Sequence, residues 1–290
     1  MKTTTRIWLG VGAFVIAGAN PSAAEGPVLD PLAKAGSVSD RALTRALQSP
    51  MQVAAAKKHK QGGEGGEGGE EGGAKAAKLP PDLDFALKIA QMRGHLLIGD
   101  ELVKDGQWAA ALPHFLHPSE EIYGRIRGRL KDYNAPQFAS ALKLLATAVK
   151  SKKAGDDYAK AWKAVEDALA AADAGVKAKQ QGDGFVVESA LELLKSATGE
   201  YQEAIVKGRI AKPVEYQDAR GFVWQAGKLF GSVGPDLATK DADAVKAAHA
   251  AFADLKQAWP SPLPPKAAVK DLSAVLAGMS KIELQIGRFR

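Results

Sequence analysis

From Leu83 to the C-terminus no run of residues alternates apolar with polar convincingly, and without that period of two a sheet has no buried face to build on. Ala, Leu, Lys, Glu and Asp dominate this stretch, so the body reads as all-α. Gly and Pro punctuate it, and between them lie candidate helices at 83–104, 107–112, 119–132, 136–151, 156–174, 184–206, 214–230, 241–258 and 265–286. Short connections favour antiparallel neighbours, which predicts an antiparallel helical bundle of about eight to nine helices. Pro113 and Pro118 are expected to stop ordinary helix, leaving His114 and His117 on a short connection with Ser119 as the next cap. Val149–Asp157, rich in Lys and Asp, is the candidate divide between two subdomains.

The residues before that body supply no second core. Residues 1–24 read as a signal peptide: Lys2 and Arg6 open it, Ile7–Ala19 is apolar, and Ser22-Ala23-Ala24 forms a small-residue cleavage site. The expected location is therefore periplasmic. Residues 25–82 read as a flexible, low-complexity segment, because Gly62-Gly63-Glu64 and its two following copies offer no apolar side chain to offset chain entropy. The helical domain is then 83–290. With the leader removed, the formal charge of +6 falls to about +4, too mild to indicate nucleic acid. Aromatic residues, at 7%, are also too sparse for a base-stacking platform. No later stretch is long and apolar enough for a transmembrane helix in the mature chain.

The chain has no cysteine, so any metal must be held by imidazoles and carboxylates. Of the five histidines, His59 sits among lysines whose charge opposes a cation, whereas His95, His114 and His117 flank one expected turn at Gly106. His95 and His117 lie at similar distances from that turn, and two antiparallel helices would bring them to similar height. Glu120 and Glu121 follow in a first helical turn, where carboxylates also suit the helix dipole. At about 100° per residue, Leu83, Leu87, Ala90, Leu97, Ile98 and Glu101 share one stripe of the first helix. Glu101 is thus an acid on an apolar stripe that needs a cation, an Arg or a raised pKa.

A second constellation is an internal echo, Glu200-Tyr201-Gln202-Glu203-Ala204 against Glu215-Tyr216-Gln217-Asp218-Ala219, one copy on each arm of an expected αα-hairpin. Carboxylates on facing helices are how bundles hold iron. Glu215 shares a face with Ala219, Phe222 and Ala226 and is the stronger candidate; Glu203 points away from its apolar stripe, and Glu200 and Asp218 lie on the flanks. Arg220 is the competing partner for a carboxylate. The metal candidates are therefore His95, Glu101, His114, His117, Glu120, Glu200 and Glu215.

Two resemblances attach to these residues. Lys104-Asp105-Gly106-Gln107-Trp108 through Leu112, with the helix before it, resembles a single tetratricopeptide hairpin, though no second copy follows at that repeat's spacing. The string Glu200–Ala204, Lys207-Gly208, Glu215-Tyr216 and Gly221-Phe222 resembles the periplasmic helical segment associated with bacterial high-affinity iron permeases. Trp259-Pro260-Ser261-Pro262 with Pro264-Pro265 extends the likeness. The Arg-Glu-Gly-Leu-Glu permeation motif of those permeases is not in the sequence, so the resemblance implies a soluble binding or delivery role beside a membrane permease or another envelope protein. The imelysin group has a Gly-x-His-x-x-Glu motif that would need Glu where Ile98 stands.

No Gly-x-Ser-x-Gly, His-Glu-x-x-His, P-loop or dinucleotide fingerprint occurs, and no enzyme activity is expected. The sequence therefore points to an exported, non-catalytic metal-binding protein, iron first and copper or zinc next. The alternative is a metal-free interaction or scaffolding domain.

Overall fold

The computed structural model describes residues 78–153 and 155–290; the leader and the Gly-Glu tract lie outside the described residues. Helix α1 (Pro81–Lys104) opens on a proline in its first turn with Asp82 and Asp84 beside it, and ends with Lys104, so both ends complement the helix dipole. Gly106, at φ 73°, turns the chain into α2 (Trp108–His117), and Ala111 is fully buried where the two helices meet. At this point the expectation drawn from proline fails. The helix continues through Pro113 to His117, then opens into a π-helical turn over Pro118–Ile122. Pro118 has no N–H to give the carbonyl of His114, and a widened turn is one way for the backbone to continue.

The expected helix 119–132 is accordingly broken into that turn, a short α3 (Tyr123–Ile126) and a 3-10 turn at Leu130–Tyr133, closed by Asn134 in the left-handed region. Helices α4 (Ala139–Lys150) and α5 (Asp156–Lys179) follow. Next come α6 (Asp183–Ala204) and α7 (Pro213–Ala238), joined by a tight hairpin pairing Ile205 with Ile210 and Val206 with Arg209. Lys207 and Gly208 both have positive φ, the signature of a two-residue turn that matches strand twist. Helix α7 outruns its expected end at 230, running on through Gly231, Gly234 and Pro235 with Val233 and Leu237 buried along the extension.

Helices α8 (Ala242–Lys256) and α9 (Leu272–Ile286) both start at aspartate caps: the backbone N–H groups of Ala244 and Ala274 donate to Asp241 and Asp271. The segment 265–271, expected to be helical, belongs to the irregular connection before α9.

Apolar side chains gather into two cores. One lies among α1–α5; the other joins α6–α9 and takes Leu87 and Ala90 from α1. The divide falls between α5 and α6, at Gly182 (φ 138°), and not at Val149–Asp157. Helices α1 and α7 cross where the cores meet. A Cβ on Gly221 would fall on the Gly94 carbonyl, and one on Gly94 would strike the Phe222 ring, so two glycines permit an approach that no larger pair allows.

Candidate metal centre

That crossing sets the site. His95 follows Gly94 on α1, and Asp218 sits one turn before Gly221 on α7. Because α2 stays helical through Pro113, His114 and His117 fall three residues apart on one face. The three histidines converge on the one carboxylate. The His95 Nδ1–H donates to Asp218 Oδ1 at 2.7 Å and the His114 Nδ1–H to the same oxygen at 2.8 Å, while His117 Nδ1 lies 3.4 Å from Oδ2. Ring centroids stand 5.2 Å apart for His95–His117 and 6.3 Å for His114–His117.

Burial grades the cluster. His114 is fully enclosed, His95 and Asp218 nearly so, and the His117 side chain keeps 24% exposure, which makes it the solvent-facing member. On the far side, His114 Nε2 lies 3.0 Å from Gln217 Oε1, and the Gln217 amide is oriented by its own donation to the Pro262 carbonyl. Both nitrogens of His114 thus face oxygen acceptors. A cation seated here would have to take the place of a ring proton.

Electrostatics follow from this packing. Burial acts to raise Asp218, but His95 and His114 beside it, with the hydrogen bonds from His114 and His117, hold it well below the usual carboxylate range. Burial pulls His95 below its ordinary value despite Asp218. Burial also acts to lower His117, yet Asp218, Glu121 and Glu200 outweigh it and raise His117 to about 8. Glu200 is lifted to about 8 by burial and by Asp218, Glu203 and Glu215, with His117 opposing.

Four of the seven expected ligands thus share one neighbourhood: His95, His114 and His117 in the cluster and Glu200 at its edge. The others do not. Glu101 is held by Arg220, whose Nε and Nη2 donate at 3.1 and 2.5 Å, so the buried-stripe acid found the arginine and not a metal. Glu215 faces Lys212 at 3.6 Å and stands partly exposed, and Glu120 lies exposed on the π turn. Asp218, left on a flank in the sequence reading, is the hub. The overlooked signal is that residues 216–223 are buried on every side, so α7 is a central helix, and Gln217, Asp218 and Arg220 are polar insertions in an otherwise enclosed run. His95, His114 and Asp218 form a group whose ligand atoms all lie within 4.8 Å of one another, which a single ion can span.

Fold and site together describe a helical bundle with a buried histidine–aspartate centre. Residues 176–289 match the family model of the iron permease-associated 4-helix bundle domain, in agreement with the resemblance carried by Glu200–Phe222. No curated protein and no solved structure matches the chain. The matched stretch holds Asp218, Gln217, Arg220 and Glu200; the three imidazoles lie before it. Among the described residues no helix is long and apolar enough to cross a membrane.

Proposed function

We propose that the His95–His114–Asp218 group, with His117 as its solvent-side member, binds a transition-metal ion in an exported, non-catalytic protein that holds or delivers the metal beside a membrane permease. The observation that supports this most is the convergence of three imidazoles, from two helices, on one ionised and buried carboxylate. The donor set is richer in nitrogen than the four glutamates Glu101, Glu120, Glu200 and Glu215 would have made it. Imidazole suits iron, copper and zinc alike, so the donors alone do not rank the three. The iron permease-associated match puts iron first.

Equilibrium titration of the chelator-treated protein with Fe(II) under anaerobic conditions, and with Cu(II) and Zn(II), tests the reading. One equivalent of at least one metal should bind, and His114→Ala should abolish it. The competing reading is a purely structural polar knot, favoured by the fact that His114 already satisfies both ring nitrogens. Absence of stoichiometric binding by all three metals would establish the knot and sink the metal centre.

A further inference from the structure

A second constellation lies on the same two central helices, towards the start of α1 and the end of α7. A cleft of about 460 Å³ opens there between α1, α5, α6 and α7, where the two apolar cores adjoin. Its size falls within the range of small-molecule sites, and junctions between packed units are where such sites form. Ala90, Val176, Phe185, Leu229 and Val233 give it an apolar wall.

Against that wall stands Gln225, only 6% exposed. Its side-chain amide makes no hydrogen bond to any described residue, and Gln225 lines the cleft. Unlike Tyr216 Oη, which is sealed without a partner, the Gln225 amide is open to solvent in the cleft, where a polar ligand group can take the place of water. Ser189 donates to the Phe185 carbonyl and retains lone pairs only.

The charges around the opening are unequally committed. Asp173 is taken by Arg93 at 2.7 Å and Asp183 by Lys240 at 3.3 Å. Lys177 and Lys228 make no ion pair among the described residues; only Asp236 is similarly uncommitted, so the free charge is net positive. We propose that this cleft binds a small organic monocarboxylate with an apolar body, its carboxylate accepting from the Gln225 amide and drawn by Lys228 and Lys177. This site is distinct from the metal centre and does not depend on it.

The test is titration of ¹⁵N-labelled protein with 4-phenylbutyrate, with 4-phenyl-1-butanol as the uncharged control. Saturable binding should shift the Gln225 side-chain amide signal. Gln225→Leu, close in shape, should weaken binding about tenfold, the worth of a charge-assisted hydrogen bond. Ser232→Trp, placed at an exposed rim position where folding is not at risk, should block the cleft. Equal binding of the alcohol, undiminished binding in Gln225→Leu or Ser232→Trp, or no saturation at millimolar 4-phenylbutyrate would each overturn the proposal.

Discussion

Two buried polar constellations span the same α1–α7 interface, and they neutralise their carboxylates by different means. Glu101 faces Arg220, a cation that never gives up its charge and is further fixed by donating to the Trp259 carbonyl and by lying 4.0 Å over the Trp224 ring. Asp218 faces three imidazoles, which release protons readily and whose nitrogens can then ligate. The first arrangement is permanent and serves packing. Under the proposed metal centre the second is exchangeable, because a metal would replace the protons without leaving the carboxylate uncompensated.

The sharpest way to break this comparison is to remove each acid in turn. Asp218→Asn should reduce metal affinity by at least about a hundredfold, since it takes the only anion from the donor set, whereas Glu101→Gln should change affinity by less than about threefold. Metal titration of both variants checks this. In denaturant melts the order should differ: Glu101→Gln leaves Arg220 enclosed without its partner and should cost about 2–3 kcal/mol, below the fully buried case because Glu101 is a third exposed. Equal losses of metal affinity in the two variants would erase the distinction.

Gly221→Ala should disturb both constellations together. Its Cβ meets the Gly94 backbone, which cannot swing aside as a side chain can, so α1 and α7 must separate, at a cost of roughly 2 kcal/mol or more. A melt and a metal titration on the same sample should show both losses.

The pH dependence of the metal-free protein isolates the edge of the centre. Glu200 binds its proton more tightly when folded, with its pKa raised from 4.5 to about 8. The folded state therefore holds more protons than the unfolded state between those values. Stability from this group is present in full below the lower value and is lost as pH rises through the upper one. Glu200→Gln should flatten that decline, as followed by melting temperature across the range.

The smallest effect is expected at Gly106, whose φ of 73° strains any side chain. Gly106→Ala should cost about 1 kcal/mol and leave both constellations intact, since its Cβ would meet nothing.

The comparison also shows what the sequence disclosed. Helical periodicity and glycine and proline punctuation were enough for an all-α body and most of its helices. The histidines were legible because the chain has so few and three flank one turn. Two things were hidden. Proline at 113 and 118 is a local rule that tertiary packing overrode, and the helical spacing of His114 and His117 depends on that override. Asp218 was obscured because a one-face reading of α7 put Glu215 inward; only the packing of α7 against both α1 and α6 shows that its flank is also interior. Arg220 was recognised as a partner for a carboxylate, but which carboxylate it takes is a matter of helix register across 119 residues of sequence.

The most direct test of an exchangeable centre is to observe the imidazoles themselves. Long-range ¹H–¹⁵N spectra of the histidine rings, recorded on the metal-free protein and after one equivalent of Zn(II), provide it. His249, which packs against Phe230 on the opposite core, serves as an internal control. The account predicts that the ring signals of His95, His114 and His117 all move while those of His249 stay. Shifts confined to His249 or His59, or an unchanged spectrum, would contradict it.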